Sequence, residues 1–378
     1  MILTKEQEMI RDAARGFSQG ELVPNAPEWD RIGGFPEAVI SRMGELGFLG
    51  MLIPEAWGGS DTGHVAYALA LEEMAAGDGG CSTVMSVQNS VVNVPILREG
   101  SIAQKERFLR PLAQGEMLGG FALTEPQAGS DASNIKVRAR LDGSHYILSG
   151  TKQFITSGET ADVMLTFAVT DPNEGKRGIS AFLVPTDLPG YRIVRREEKL
   201  GQRSSDTCQI FFDEMVITPD LMLGEPGEGY RIALSNLEGG RIGIAAQSVG
   251  MARAAFEAAC DYAHERESFG KVIASHQAIA FRLADMATQI EVARQMVLHA
   301  AALRDSAKPC LKEASMAKLF ASEMAESVCS QAIQIYGGYG YLSDYLVERI
   351  YRDVRVCQIY EGTSDVQRLV ISRAISGD

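Results

Sequence analysis

One glutamate near the C-terminal end has the surroundings of a general base. Glu361 stands between an aromatic residue and a glycine in the segment Y-E-G-T-S-D, directly after the apolar-rich stretch 354–359. Burial in an apolar pocket would raise its pKa above the usual value of roughly 4.3, which suits a group that takes up protons near neutral pH. The alternative is an exposed carboxylate in a surface turn. Ser364 and Gln367 have capping-box spacing, which predicts that a helix begins here with Ser364 as its cap.

Three further segments could hold a flat or phosphorylated ligand. The loop 123–131, L-T-E-P-Q-A-G-S-D, could aim hydroxyls and N–H groups at such a ligand, although composition alone favours a surface turn. The segment 154–158, F-I-T-S-G, is either a strand end with an aromatic plug or an aromatic wall with a hydroxyl donor. The segment 334–341, Q-I-Y-G-G-Y-G-Y, ends a long helix. A glycine cap requires only one of its glycines, so the others indicate close backbone approach.

Several other kinds of chemistry are not supported. The letters G-F-S-Q-G at 16–20 match a nucleophile elbow but end an amphipathic helix, where no such elbow forms. No dinucleotide-binding glycine motif or P-loop is present, and no H-E-x-x-H or C-x-x-C pattern, so a metal site is not expected. With 36 Lys and Arg against 49 Asp and Glu, the net charge of -13 argues against nucleic-acid binding.

The patterns that must position these residues divide the chain into three domains. Residues 1–117 read as helical, and residues 118–222 change to the two-residue period of strands, with a D-G hairpin signal at 142–143. Residues 223–378 return to long helical stripes. The fold class predicted is α+β and multidomain. It combines an N-terminal helical domain, a central antiparallel β-barrel-like domain and a C-terminal four-helix bundle.

The N-terminal segment and the cysteines bear on location. Thr4 and Gln7 predict a helix cap with a capping box, and the acidic residues that follow do not suit a targeting peptide. The six cysteines fit reduced, mostly structural thiols. No apolar run reaches the ~20 residues that span a bilayer. We therefore expect a cytoplasmic protein, or a mitochondrial matrix protein if the chain is a processed eukaryotic form.

Taken together, these segments resemble the acyl-CoA dehydrogenase family over essentially the whole chain. The motifs that carry the resemblance, in the family's order, are L-T-E-P-x-x-G-S-D (123–131), F-I-T-S-G (154–158), E-R-x-x-F-G-K (265–271), H-Q (276–277), Q-I-Y-G-G-Y-G (334–340) and Y-E-G-T (360–363). Family members bind FAD and oxidise acyl-CoA thioesters to trans-2-enoyl-CoA. By resemblance, Glu361 takes the pro-R α-proton while the β-hydride passes to flavin N5. The Glu361 backbone N–H and a ribityl hydroxyl polarise the thioester carbonyl.

The resemblance also assigns FAD contacts. Phe154 would wall the flavin and Thr156 would donate toward its N5 edge, while Arg266, Phe269 and Gln277 match contacts from a neighbouring subunit. The full set is Phe121, Leu123, Thr124, Gly129, Ser130, Phe154, Ile155, Thr156, Arg266, Phe269, Gln277, Gln334, Gly337, Gly338, Thr363 and Ser364. Contacts of this kind imply a homotetramer, assembled as a dimer of dimers. The expected electron acceptor is an electron-transfer flavoprotein.

The substrate residues implied by resemblance are Ser130, Arg241, Glu361 and Gly362. Arg241 matches a position near the CoA moiety and is expected to open a helix stripe. In the isovaleryl and long-chain branches the base precedes this arginine, but here Gly240 stands there and no competing carboxylate exists. The segments 237–242 and 337–342 look most like the short-chain and isobutyryl branches, so we expect a short acyl chain, straight or 2-methyl-branched.

Three competing interpretations remain. One keeps FAD but reacts with oxygen as an oxidase, and oxygen reactivity is not readable from the sequence. A desulfinase-type relative would lack the base, so Glu361 speaks against it. A non-enzymatic acyl-CoA-binding scaffold would not need both an intact base and an intact flavin loop.

Overall fold

The N-terminal third of the computed structural model, which describes residues 1–377, is helical as predicted. The predicted capping box is present, because the Thr4 side chain accepts from the Gln7 backbone N–H and the Gln7 side chain accepts from the Thr4 backbone N–H. Three π-helical turns cover Ser18–Leu22, Val87–Asn93 and Lys105–Leu109. The α-helices are Lys5–Phe17 (α1), Ala26–Ile32 (α2), Glu37–Glu45 (α3), Gly63–Gly77 (α4), Gly79–Ser86 (α5), Val94–Glu99 (α6), Ile102–Gln104 (α7) and Arg110–Gln114 (α8).

The central part forms one eight-stranded sheet. Its strands are Gly119–Ala122 (β1), Arg138–Asp142 (β2), His145–Thr156 (β3), Val163–Val169 (β4), Ile179–Pro185 (β5), Tyr191–Arg196 (β6), Thr207–Ile217 (β7) and Met222–Leu223 (β8). The order is β6-β7-β3-β2-β4-β5-β8, with β1 paired to β4. Asp142 pairs with His145 across the predicted D-G hairpin. The sheet is antiparallel except that β4 runs parallel to β1 and β2, a pairing that the sequence pattern does not predict.

The C-terminal part contains the four predicted helices and one more. The predicted four are Gly229–Glu265 (α9), Gln277–Asp305 (α10), Leu311–Tyr336 (α11) and Ser364–Ser376 (α13), and the unpredicted helix is Leu346–Val354 (α12). A small hairpin, Glu267–Ser268 (β9) with Lys271–Val272 (β10), connects α9 to α10. Arg241, which precedes the predicted stripe that begins at Ile242, lies in the interior of α9. The helix continues through Gly239 and Gly240, which interrupt the apolar stripe in the sequence.

The apolar side chains form two cores, and α9 contributes to both. Ile232 and Ala233 pack in the core of the sheet domain, whereas Ile242 and later residues of α9 pack in the core of the helices. Residues 234–241 of α9 therefore lie where one core gives way to the other. A ligand site at this junction is positioned by all three parts of the chain.

All six cysteines are free, and all but Cys260 are buried. Within residues 1–377, no helix combines the length and apolar character that crossing a membrane requires. The same residues bring together no group of three or more His, Cys, Asp or Glu side chains suited to a metal ion.

Candidate active site

Glu361 lies in a short turn, residues 359–363, that we call the base turn. Its backbone has a positive φ of 54°, a conformation that costs a non-glycine residue about 1–3 kcal/mol and therefore needs support from its neighbours. Its Oε2 is buried and has no hydrogen-bond partner among residues 1–377. Burial raises the pKa of Glu361 to about 7, while Arg241 and Lys318 act to lower it. The predicted raised pKa is present, but the pocket is not purely apolar, because two cations border it.

Gly240 of α9 faces the Glu361 carboxylate directly. A Cβ at this position would lie 2.5 Å from Oε2 and 2.8 Å from Cδ of Glu361. Such distances are shorter than any normal contact, so a side chain here would displace the carboxylate. The position that carries the base in other branches of the family is thus a close neighbour of Glu361, and its lack of a side chain leaves room for Glu361.

The N-terminal side of the base turn is held by a buried hydrogen-bond network. The Tyr360 hydroxyl donates to the Gln247 side chain, and Gln202 Nε2 donates to the Tyr360 hydroxyl at 3.3 Å. Gln202 belongs to the β6–β7 loop, whose Asp206 carbonyl accepts from the Ser157 backbone N–H at 3.1 Å. This loop, which sequence reasoning missed, connects the base turn to the end of β3, where flavin contacts are predicted.

The C-terminal side of the base turn leads into α13, and here the predicted cap is wrong. Thr363 is the N-cap, and its side chain accepts from the Val366 backbone at 3.3 Å. Ser364 is the first helical residue, and its buried Oγ has no partner within residues 1–377. Gln367 does not close a capping box, because its Nε2 donates to the Gly362 carbonyl at 2.9 Å. The polar group at the predicted box position thus holds the turn rather than the helix end.

Two buried cations border the base turn from neighbouring helices. Arg241 is 5% exposed, and its Nη1 donates to Ser315 Oγ at 3.3 Å. Lys318 of α11 is fully buried, and its Nζ donates to the Gly362 carbonyl at 2.7 Å. Sequence reasoning missed Lys318. The signal available was a lysine within a stripe of small apolar residues, where burial of an ammonium group requires a reason.

The loop predicted to contact the flavin is fastened by a buried ion pair. Lys152 Nζ lies 2.8 Å from Glu125 Oε1 and donates to the Leu123 carbonyl at 3.0 Å. Glu125 also accepts from the backbone N–H groups of Lys136 (2.6 Å) and Val137 (3.0 Å). Burial alone would raise the pKa of Glu125, but Lys152 and these donors bring it below the usual value. Glu125 is therefore a structural carboxylate and not an alternative base.

The other predicted residues of this region lie beside that ion pair. Phe121 is half-buried in β1, and the Thr124 carbonyl accepts from the Gln153 backbone at 2.9 Å. Gly129 and Ser130 are exposed at the far end of the loop. Phe121 is thus held in β1 and Thr124 is fixed by its backbone bond to β3, whereas Ser130 lies in an exposed turn.

The end of β3 has an unusual backbone. Phe154 and Ser157 both have positive φ, 58° and 56°, around a register shift in the pairing of β3 with β7. The Phe154 ring is 65% exposed, Ile155 is buried and Thr156 is half-buried. The buried Ser157 Oγ has no partner within residues 1–377. Strained backbone and an exposed aromatic ring are typical of a ligand contact.

A second group of predicted residues lies at the other end of α9 and α11. A cavity of 390 Å³ is lined by Arg266, Gly337 and Gly338, together with Tyr262, Ile273, Ile335, Tyr336, Tyr339 and Leu342. Gly337 is also the C-cap of α11. It therefore both ends the helix and exposes its backbone in the cavity. Phe269 is 95% exposed on the hairpin, and Gln277 and Gln334 are also exposed. The structure thus brings Arg266 and the glycine segment together and leaves Phe269 free to contact another molecule.

The residues present fit FAD. The exposed Phe154 ring and the half-buried Thr156 hydroxyl suit the flat ring system, and the cavity at Arg266 combines a guanidinium group with aromatic walls. An arginine with exposed backbone glycines suits a pyrophosphate. The predicted binding residues therefore have the chemistry that each part of this cofactor requires.

Comparison with known families gives matches along the whole chain. Residues 4–116 match the model of the acyl-CoA dehydrogenase N-terminal domain, residues 120–215 that of the middle domain, and residues 227–376 that of the C-terminal domain.

Three curated relatives illustrate the similarity. The chain is 46% identical over 377 residues to an acyl-CoA dehydrogenase from Bacillus subtilis (strain 168), with 100% of both chains covered. It is 45% identical over 370 residues to the mitochondrial short-chain specific acyl-CoA dehydrogenase of Bos taurus, covering 98% of this chain and 90% of that one. It is 43% identical over 373 residues to the caffeyl-CoA reductase-Etf complex subunit CarC of Acetobacterium woodii, covering 98% of each.

Solved structures agree. Butyryl-CoA dehydrogenase from Megasphaera elsdenii superposes with a TM-score of 0.97 at 41% identity, covering 100% of this chain and 99% of that one. A chain from a structure of the electron transferring flavoprotein of Acidaminococcus fermentans gives 0.98 at 44% identity, covering 100% of both. A Mycobacterium smegmatis glutaryl-CoA dehydrogenase in complex with FADH2 gives 0.95 at 34% identity, covering 100% and 96%.

The fold, the site and these matches define an FAD-dependent oxidoreductase. The chain belongs to the acyl-CoA dehydrogenase family. The predicted family, enzyme class and cofactor are thereby confirmed. The individual residue roles, the domain boundaries and the preferred acyl group stay predictions.

Proposed function

We propose that the chain removes two hydrogens from the α and β carbons of a short acyl-CoA, straight or 2-methyl-branched, with Glu361 as the general base. The observation that carries this proposal is the buried, unpartnered Oε2 of Glu361 with a pKa raised to about 7. A carboxylate in that state has no competing donor and matches the pKa that general-base catalysis near neutral pH requires.

The reaction removes an α-proton and a β-hydride, and we assign a group to each of these two steps. Glu361 takes the α-proton as the C–H bond breaks. FAD, when bound, supplies the acceptor for the β-hydride, so that a trans double bond forms between the two carbons. The Glu361 backbone N–H has no acceptor within residues 1–377, and we assign it as a donor to the thioester oxygen. There it stabilises the negative charge that grows as the proton leaves.

The remaining residues serve binding. Phe121, Thr124, Phe154 and Thr156 would hold the flavin ring, and Arg266, with Gly337 and Gly338, would hold the pyrophosphate of FAD. Arg241 would bind near the CoA moiety, as the family resemblance implies. Glu238 does not compete as a base, because its Oε2 lies 2.6 Å from the Arg304 guanidinium.

Two observations support a short acyl chain. The Bos taurus relative is named short-chain specific, and the Megasphaera elsdenii structure is a butyryl-CoA dehydrogenase. In this chain, a Cβ at Gly243 would lie 2.6 Å from Ser86 Oγ and 2.9 Å from the Tyr67 hydroxyl. Two polar groups thus fill the space beside α9 one turn beyond Gly240, which favours a shallow acyl pocket.

The proposed electron acceptor is an electron-transfer flavoprotein. The CarC relative is a subunit of a complex that contains Etf, and another similar chain comes from a structure of an electron transferring flavoprotein. The proposed assembly is a homotetramer, since exposed Phe269 and Gln277 resemble contacts across a subunit boundary.

A panel of acyl-CoAs tests the function. The purified enzyme is mixed anaerobically with straight chains of four to sixteen carbons and with 2-methyl-branched short chains, and loss of flavin absorbance is recorded. We expect the fastest loss with short chains, straight or 2-methyl-branched. Fast reaction with the long chains alone would contradict the proposed substrate class, and loss with none would contradict the function. Rapid recovery of absorbance on admitting oxygen would indicate an oxidase.

One second function has specific support. The CarC relative is named as a subunit of a caffeyl-CoA reductase-Etf complex. A carboxyl with a pKa of about 7 can return a proton as readily as it takes one. Enoyl-CoA reduction with the same residues is therefore the alternative. The test incubates the photoreduced enzyme with a short enoyl-CoA and follows reoxidation of the flavin. The rate of reoxidation is then compared with the rate at which the corresponding acyl-CoA reduces the flavin.

A further inference from the structure

Lys318 is a buried ammonium group that neither the family comparison nor the proposed mechanism uses. It is fully buried in α11, and its Nζ donates to the carbonyl of Gly362, the residue after the proposed base, at 2.7 Å. No carboxylate forms a salt bridge with it in the part of the chain that the structure describes. Burying an ammonium group without an ion-pair partner is costly, so its presence here points to a role at this turn.

The Gly362 carbonyl, to which Lys318 donates, lies in a strained segment of backbone. Glu361 and Gly362 have consecutive positive φ angles of 54° and 90°. The Gly362 carbonyl also accepts from Gln367 Nε2 at 2.9 Å, so donors from α11 and α13 converge on one oxygen. The direction of this peptide group sets where the neighbouring Glu361 backbone N–H and carboxylate point.

We propose that Lys318 is a positioning residue for the general base, which fixes the base turn through the Gly362 carbonyl and places a positive charge beside that turn. The proposal rests on the proposed function only in taking Glu361 as the base. Lys318 itself does not contact the reacting carbons in this assignment.

The charged groups around Lys318 determine how its removal would change the pKa of Glu361. Glu361 and Arg241 face it from the base turn and α9, Cys357 from the turn that precedes Ile359, and Glu323 from its own helix. Burial lowers the pKa of Lys318 to about 8, while Cys357, Glu361 and Glu323 oppose that shift. Lys318 is therefore largely charged at neutral pH. Without it, Arg241 is the one remaining cation that lowers the pKa of Glu361.

The test compares Lys318→Met and Lys318→Arg with a control, Lys312→Met, all as FAD-loaded enzyme. Lys312 lies on the same helix, is half-buried and pairs with Glu313. Loss of a neighbouring opposite charge shifts a pKa by about one unit or more. In Lys318→Met we expect the acidic limb of the kcat/KM profile to move upward by about that amount and kcat at pH 7 to fall about tenfold or more, with KM little changed. Lys318→Arg should restore the position of the acidic limb but not the full kcat, since its planar group cannot reach one carbonyl in the same way. Lys312→Met should match the wild type.

A second readout keeps the proposal separate from the proposed function. The infrared absorption of the protonated Glu361 carboxyl, identified by its loss in Glu361→Gln, is titrated in wild type and variants without turnover. An upward shift in Lys318→Met supports the proposal even if no acyl-CoA is oxidised. Unchanged titration and unchanged pH profile in that variant would overturn it and leave the proposed function intact. Should Lys318→Met fail to fold, Lys318→Arg decides, because wild-type kcat in that variant would contradict the positioning role.

Discussion

At the scale of single residues, the site is defined by one carboxylate and by what surrounds it. Glu361 could be proposed as the base from the sequence, because it follows an apolar-rich stretch and because Y-E-G-T at 360–363 resembles a motif of the family. Its neighbours could not, since Gly240 and Lys318 meet it only through packing of α9 and α11 against the base turn. A glycine or a lysine in a helical sequence does not indicate a site residue until the packing of the helices is known.

Activity should depend on pH through Glu361. Its pKa is raised to about 7 by burial, and the deprotonated form is the base, so activity is present above that value and is lost as the pH falls through it. We expect kcat/KM to fall about tenfold per pH unit on the acidic side, measured with a short acyl-CoA and an artificial acceptor. A profile that stays flat between about pH 6 and 8 would contradict the assignment.

Gly240→Ala should move the base. The added Cβ would lie 2.5 Å from Glu361 Oε2, whereas the matched control Gly239→Ala places its Cβ 3.8 Å from Ser90 Cβ, an ordinary contact. Both substitutions give the same gain in helix propensity. The difference in kcat/KM between the two variants therefore measures the effect of displacing the Glu361 carboxylate. We expect kcat/KM to fall about tenfold to a hundredfold in Gly240→Ala and little in Gly239→Ala, with FAD content unchanged. Equal effects of the two substitutions would contradict the geometry.

At the scale of elements, strands and long helices could be predicted because their periods are local. The helix cap could not be placed correctly, because Thr363 and Ser364 are both good caps and only the observed backbone selects Thr363. The helix α12 and the parallel pairing of β1 with β4 also depend on tertiary packing. The division into 1–117, 118–222 and 223–378 stays a prediction.

The buried pair of Lys152 and Glu125 should decide whether the flavin loop holds its shape. Lys152→Met leaves Glu125 buried without its cation and the Leu123 carbonyl without its donor. Removing one partner of a buried pair costs about 3–5 kcal/mol. We expect a lower free energy of unfolding in urea and loss of FAD on gel filtration. The exposed pair of Arg140 and Asp142 provides the control, since Arg140→Met should change neither quantity. Full FAD content in Lys152→Met would contradict the role of the pair.

At the scale of the whole molecule, the long helix α9 contributes to both hydrophobic cores and carries two residues of the candidate site. It contributes Ile232 to the core of the sheet domain and Ile242 to the core of the helices, with Gly240 and Arg241 between them. At its far end the same helix leads to Arg266 and the cavity beside Gly337 and Gly338. One helix therefore runs from residues beside the proposed base to the proposed cofactor contacts.

Arg266→Ala should weaken cofactor binding and assembly together. The Arg266 guanidinium lies 5.7 Å from the centroid of the Tyr339 ring on an exposed surface, where a neighbouring subunit's FAD is proposed to bind. A ligand held across an interface stabilises the assembly by mass action. We expect sedimentation to show dissociation from a tetramer and absorbance to show reduced FAD, with Lys312→Ala unchanged in both. A variant that remains tetrameric with full FAD would contradict the proposed shared site.

The central claim is that Glu361 takes the α-proton, and Glu361→Gln tests it most directly. The amide keeps the size of the side chain and the backbone N–H but cannot accept the proton, so binding should persist while reduction stops. General-base catalysis contributes ~10²–10⁴-fold, and we expect the loss at the upper end of that range or beyond. Rapid anaerobic mixing with a good short acyl-CoA should show a spectral change from complex formation without loss of flavin absorbance. Reduction of the flavin within about tenfold of the wild-type rate would contradict the account.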